Sequence, residues 1–200
     1  MTDFFDVVSR QRAHRAFSDE PVSDDDIAAV LRAATFAPSA ENRQPWEFVV
    51  VRAPATRTAI GEIARRLWDA HGRAFAETRL DPKLLDDVDQ GMRGGIAEAP
   101  VIVVVCADTE RGLEQSAPSS IFPAVQNLLL AATALGLGSA LTTLTTYARD
   151  ELRALLALPD HVWPIAVVPL GHPARPLGQP RRESFDAHTH RERYGERWTQ

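Results

Sequence analysis

The chain reads as an α+β fold in one domain of 200 residues. Two observations carry this reading. Helical and strand-like patterns alternate along the sequence, and no repeat, low-complexity segment or interdomain linker interrupts them. A hydrophobic content of 44% is enough to bury a full core in one domain, although length alone also admits two small ones.

Each element has its own local cause. A short helix near the N-terminus carries Phe4, Phe5, Val7 and Val8 on an apolar face. Ser23 suits an N-cap, with Asp24, Asp25 and Asp26 in the first turn and Ile27, Val30, Leu31 and Ala34 on one side. Trp46–Val51 reads as a buried strand. Helical patterns follow over about 54–76 and 82–96; Pro82 suits a helix start, while Gly94 and Gly95 weaken the second helix's end. Next come an apolar strand over 101–107, a polar loop, and an apolar helix over 122–135 ended by Gly136. Phe122, just before Pro123 at that helix's expected start, either lines a pocket or staples the helix. Residues 139–146 are β-branched and strand-like, 149–158 form a short helix, and 162–170 a last strand. From Pro173 onward the chain is rich in proline and arginine and poor in aliphatic residues, with Tyr194 and Trp198 as late apolar anchors. Taken alone that stretch reads as a tail.

Composition narrows the function classes. The 22 basic residues face 27 acidic ones, a net charge of −5, so no broad basic face for nucleic acid is implied. The single cysteine, Cys106, has no intramolecular disulfide partner and sits in an apolar strand, where an inert thiol is expected. No apolar run approaches the roughly 20 residues that span a bilayer. Asp3 and Asp6 interrupt the N-terminal apolar residues, and no secretory leader is read there. The expectation is a cytoplasmic protein without a membrane partner.

Two segments carry chemistry. The stretch Pro38-Ser39-Ala40-Glu41-Asn42-Arg43-Gln44-Pro45-Trp46 holds two amides, a hydroxyl and two prolines between a helix and a strand. Asn42 and Gln44 offer both donors and acceptors, and the prolines limit the entropy lost on presenting them. A rigid turn and a reader of a planar polar heterocycle both fit. Upstream, Arg10, Arg12 and Arg15 crowd into one short segment; clustered guanidiniums form paired hydrogen bonds to phosphate oxygens, and a solvated basic turn is the bland alternative. A small phosphorylated ligand fits better than a polymer.

Read together, Arg12-Ala13-His14-Arg15-Ala16-Phe17, Asp19-Glu20-Pro21-Val22, Ala37-Pro38-Ser39-Ala40 and Asn42-Arg43-Gln44-Pro45-Trp46 resemble the N-terminal pattern of the FMN-dependent nitroreductase family. Ala99-Pro100, Gln126-Asn127-Leu128-Leu129-Leu130-Ala131-Ala132, Ala134-Leu135-Gly136-Leu137-Gly138-Ser139 and Leu170-Gly171-His172-Pro173 continue the match in family order. The resemblance implies a three-layer α+β fold with a mostly antiparallel central sheet, and a C-terminal arm over about 172–200 that packs on the partner subunit of a homodimer. It implies FMN as cofactor, NADPH or NADH as reductant, and a small acceptor such as a nitroaromatic or quinone, turned over in ping-pong fashion. For the cofactor it implies contacts from Arg12, Ala13, His14 and Arg15. Pro38, Ser39, Ala40, Asn42 and Gln44 would come from the other subunit. Backbone groups of Thr142, Thr143 and Leu144 would approach the ring, and Arg181 or Arg182 would reach the phosphate.

This chain departs from the family pattern at Ala13, where a hydroxyl residue is common, and at Glu41, where a small residue is usual. Glu41 is therefore read as a substrate-selecting residue at the pocket mouth. No side chain is assigned as catalytic nucleophile or base: Ser39 reads as a flavin ligand. No metal site is assigned, His188 and His190 reading as exposed tail residues. A reductive dehalogenase, a flavin-cleaving enzyme of the same family, and a flavin-sequestering protein with little turnover stand as alternatives.

Overall fold

In the computed structural model, which describes residues 3–112 and 114–198, the helices begin where polar side chains cap them. Asp3 accepts from the backbone N–H groups of Phe5 and Asp6 at the head of α1 (Phe4–Arg10). Ser23 Oγ accepts from Asp26 N–H at 3.0 Å at the head of α2 (Asp24–Thr35). After strand β1 (Trp46–Val51) come α3 (Pro54–Leu67), α4 (Arg73–Glu77), α5 (Pro82–Gln90) and α6 (Ile96–Glu98). Asp81 caps α5 by accepting from Leu84 N–H at 3.1 Å. The order closes with β2 (Val101–Asp108), α7 (Ala117–Ala134), β3 (Gly138–Ser139), α8 (Arg149–Leu155) and β4 (Val162–Gly171).

The four strands form one sheet in the order β1-β2-β4-β3, each neighbouring pair antiparallel. Every residue of β2 is buried, which explains why this strand shows no polar alternation. Val101, Val103 and Val105 join a core with Ile27 and Val30 of α2 and Ile121 and Leu128 of α7. Ile102, Val104 and Cys106 join the opposite core with Ile60 and Ile63 of α3, Ile96 and Leu152. Helices therefore cover both faces, giving three layers around the sheet. Each fully buried Ile, Leu or Val contributes about 1.5–3 kcal/mol against exposure.

Four local expectations are corrected. The helix expected over 122–135 starts at Ala117, and Pro118 occupies its first turn while Pro123 lies inside it. The strand expected over 139–146 is confined to Gly138–Ser139, with an isolated bridge between Thr142 and Val167 and a 3₁₀ turn over Leu144–Ala148. Thr142 Oγ1 accepts from Leu144 N–H at 3.2 Å, and Thr143 O accepts from Thr146 N–H, so local bonds replace the ladder. The helix ending near Ile96 continues to Glu98 through a π-helical turn at Gly91–Gly95. On α1 only Val7 is buried; Phe4, Phe5 and Val8 are exposed.

A second π-helical turn, Trp68–Gly72, joins α3 to α4. Asp89 ties this region together: it accepts from Trp68 Nε1 at 2.9 Å and pairs with Arg73 and Arg93. Those donors, the Trp68 N–H first, hold its carboxyl below the usual range. Past β4 the chain first returns to its own N-terminal segment, with Ser18 N–H donating to His172 O at 2.9 Å and Ala174 N–H to Ala16 O at 3.1 Å. Farther along, Tyr194 is 93% exposed and packs on His190, so it does not anchor the arm on the chain's own core. Thr199 and Gln200, the end of the expected arm, lie outside the described residues. Among the described residues, no helix is long and apolar enough to cross a membrane.

Candidate functional site

The basic segment after α1 is extended and held by backbone bonds. Ala13 forms a parallel bridge with Ser139, and His14 N–H donates to Ser139 O at 2.9 Å. Phe17 bridges Pro173. The segment thus lies beside β3 and the end of β4, and its side chains inherit a fixed direction from that pairing.

Arg15 is the side chain most closely fitted. Its Nη1 donates to Asp87 Oδ2 of α5 at 2.6 Å, with the two side chains 21% and 29% exposed. Arg175 approaches the other Asp87 oxygen at 3.5 Å. The π-helical turn passes directly under Arg15: a Cβ on Gly91 would lie 2.6 Å from Arg15 Cδ, and one on Gly95 would lie 2.0 Å from the Arg15 carbonyl oxygen. Only glycine permits so close a backbone approach. Burial, then the Arg12 charge, pushes the His14 imidazole below its ordinary pKa, with Asp87 opposing. The imidazole is therefore neutral at neutral pH, and the segment's positive charge resides on its arginines. Arg12 itself donates to Gly178 O at 2.7 Å.

A small open cleft runs along this segment, lined by Arg15, Gly91, Met92, Gly95, Ile96, Ala140, Leu141, Thr142 and Pro169. The structure thus brings Arg15 and Thr142, two of the sequence-derived site residues, to one apolar-walled space. Thr142 exchanges both backbone bonds with Val167, and Leu144 N–H is taken by Thr142 Oγ1. Of Thr142, Thr143 and Leu144, Thr143 keeps its backbone N–H without a partner among the described residues. Ser139 Oγ, behind Ala13, is buried and likewise without a partner among them.

The amide-bearing stretch lies outside this cleft, as do Arg181 and Arg182, which are exposed. Its backbone is unusual: Glu41, Asn42 and Gln44 have φ of 53°, 55° and 51°, the left-handed region, at about 1–3 kcal/mol for each non-glycine residue. Several bonds hold that shape. Ser39 Oγ accepts from Gln44 N–H at 3.0 Å, Ser120 Oγ accepts from Ala40 N–H at 3.2 Å, and Asp108 N–H donates to Pro45 O at 2.7 Å. Pro38 and Ser39 lead into this turn from the end of α2. The Asn42 carboxamide has no hydrogen-bond partner among the described residues, leaving its donors and acceptors available. Glu41 pairs with Arg43 at 3.0 Å, both largely exposed.

Asp87, Gly91, Gly95, Met92 and Pro169 were not among the site residues read from the sequence. One signal could have found the first three: an acid and two glycines at i, i+4 and i+8 on a helical pattern share one face. The donor set of the two segments suits a ligand with an anionic group and a planar polar ring.

The model of the nitroreductase family matches residues 8–172. The chain belongs to the nitroreductase family. As a member it is an oxidoreductase. It is 32% identical over 182 residues to an NADH dehydrogenase/NAD(P)H nitroreductase of Archaeoglobus fulgidus, covering 86% of this chain and 87% of that one. It is also 30% identical over 190 residues to an iodotyrosine deiodinase of Thermotoga neapolitana, covering 92% and 96%. Among solved structures, a nitroreductase from Desulfovibrio desulfuricans in complex with FMN matches with a TM-score of 0.70 and 28% identity, over 94% of this chain and 95% of that one.

Proposed function

We propose that the chain is an FMN-dependent NAD(P)H oxidoreductase, working as a homodimer on nitroaromatic, quinone or similar small acceptors. The observation that carries this reading is the cleft itself, where Arg15 of the basic segment and Thr142 line one space with largely apolar neighbours. Arg12, with Arg181 or Arg182, would neutralise a phosphate through charge-assisted bonds of about 1.5–3 kcal/mol each, while Arg15, which lines the cleft with Thr142, would face the ring. Thr143 N–H would serve the ring edge. The strained strip over 38–44 has a free carboxamide at Asn42 but stands apart from its own chain's cleft, so in this reading Pro38, Ser39, Ala40, Asn42 and Gln44 serve the partner's site. The exposed Phe4, Phe5, Phe36 and Tyr147 support such an assembly, since large apolar side chains left in water mark interaction surfaces.

When bound, FMN supplies the hydride chemistry. The chain's part is to bind and orient it, keep water from one face, and leave the other open to reductant and acceptor in turn. No side chain is required as nucleophile. The test is direct: the purified protein loaded with FMN should bleach on NADH or NADPH and regain colour with a quinone. Colour that resists both nucleotides would leave a flavin-binding protein instead of a reductase. The similarity to an iodotyrosine deiodinase supports reductive dehalogenation as the second reading, which halide release from a halogenated phenol would reveal.

A further inference from the structure

We propose that Asp87 is a positioning residue for the redox site: it aims the Arg15 guanidinium into the cleft. It does so from the cradle made by Gly91 and Gly95. This inference rests on the flavin reading above and assigns a role to a helix face outside the two basic and amide-bearing segments.

Three observations converge on it. The Arg15–Asp87 contact is short, at 2.6 Å, and both side chains are mostly withdrawn from water, so the pair is less screened than a surface pair. Asp87, Gly91 and Gly95 repeat every four residues and so present one face to Arg15, the carboxylate meeting the guanidinium while the glycines admit the side chain and its carbonyl. Arg15 in turn lines the same cleft as Thr142. A long, flexible arginine gains its single orientation from this arrangement, which lowers the entropy it must lose on meeting a ligand. Asp87 also faces Arg175 at 3.5 Å, on the segment that follows β4, so one carboxylate links the helix to both ends of the chain.

The consequence is specific because two effects of Asp87 on a bound flavin have opposite signs. A carboxylate acting only through its charge would disfavour the negative charge of reduced flavin, so neutralising it would raise the midpoint potential. A carboxylate acting by holding Arg15 in place supports that negative charge, so losing it would lower the potential.

The experiment uses the full chain, titrated with FMN and then poised with redox dyes. Asp87→Asn is expected to raise the FMN dissociation constant about tenfold and to lower the midpoint potential. In an Arg15→Gln background the same change is expected to alter affinity by less than about twofold and leave the potential in place. Gly91→Ala, which pushes on Arg15 without touching the carboxylate, is expected to lower the potential as Asp87→Asn does. A raised potential in Asp87→Asn, tighter FMN binding, or an equal effect with and without Arg15 would overturn the proposal. If the unmodified chain binds FMN and is reduced by NAD(P)H, the functional reading stands whatever Asp87 does. If it binds none, both fall.

Discussion

Gly95→Ala and Gly94→Ala, neighbours in one π-helical turn, are expected to act in opposite directions. In a helical segment alanine is favoured over glycine by about 1 kcal/mol, so propensity alone would make both changes stabilising. Contact geometry separates them. A Cβ on Gly95 would stand 2.0 Å from the Arg15 carbonyl oxygen, a backbone atom fixed by the pairing of His14 with Ser139. The extended segment must move away, and such overpacking costs typically 1–3 kcal/mol, sometimes more. A 2.0 Å approach to backbone belongs at the upper end of that range, so with propensity offsetting about 1 kcal/mol a net loss of about 2 kcal/mol follows, or roughly 4–8 °C in Tm for a chain of this size. On Gly94 the Cβ would meet only Glu98 Oε1 at 3.0 Å, the free end of a flexible side chain that can turn aside. That variant should equal or exceed the unmodified chain by up to about 1 kcal/mol. Thermal melts followed by circular dichroism give the stabilities, and flavin absorbance after FMN loading reports the displaced arginine. Gly95→Ala should lose colour as well as stability, and Gly94→Ala neither. Equal melting of Gly95→Ala and the unmodified protein would refute the close-approach argument, as would an equal loss in Gly94→Ala.

Other outcomes follow from single features. Burial, with a smaller effect of Glu47, pushes the Cys106 thiol from 9.0 up to about 12. Between those values the unfolded chain gives up a proton that the folded chain keeps, so the thiol's contribution to stability is full below pH 9 and falls as pH rises. Urea melts across that window should show a slope shallower by about 1.4 kcal/mol per pH unit in Cys106→Ala, and a thiol reagent should modify Cys106 only after unfolding. Glu41→Gly should raise kcat/KM for an anionic quinone or nitrobenzoate by a factor worth about 1 kcal/mol or less, because Glu41 is exposed and paired with Arg43; a neutral analogue should not respond. Truncation after Gly171 removes the Ala174–Ala16 bond and the Gly178 carbonyl that meets Arg12, together with the proposed partner contacts. Both sedimented mass and FMN content should drop, and a truncated chain that remains a loaded dimer would contradict the assembly.

Much of the fold was legible residue by residue. The Ser23 cap, the acidic first turn of α2, the apolar strands and the turn at Gly136 are all set by groups within a few positions of one another. The basic and amide-bearing segments, and the family pattern they belong to, were readable for the same reason: composition and spacing are local properties. The misplaced boundaries mark where local signals compete. Pro123 suits a helix start, but Pro118 suits it equally, and the earlier one is used. Thr142, Thr143, Thr145 and Thr146 favour a strand by their branching, yet the Thr142 hydroxyl and Thr143 carbonyl draw the backbone into a tight turn instead.

The shared face of Asp87, Gly91 and Gly95 was there to be read, but no local pattern contained the pairing of Arg15 with Asp87, 72 residues away, or the fact that Arg15 lies against that face. Read along the chain, Gly94-Gly95 only weakens a helix. In the folded molecule Gly95 is where another backbone passes and Gly94 is not, a distinction that depends on what stands beside the helix rather than on the helix itself. The left-handed turn at Glu41, Asn42 and Gln44 belongs to the same class, because residues that resist that conformation adopt it only when Ser39, Ser120 and Asp108 hold them there. Sequence alone determined which side chains of the two segments were available for phosphate and ring. The tertiary structure decided which of them share a cleft, because direction and distance between segments far apart in the chain exist only once the sheet and its two helical layers have closed.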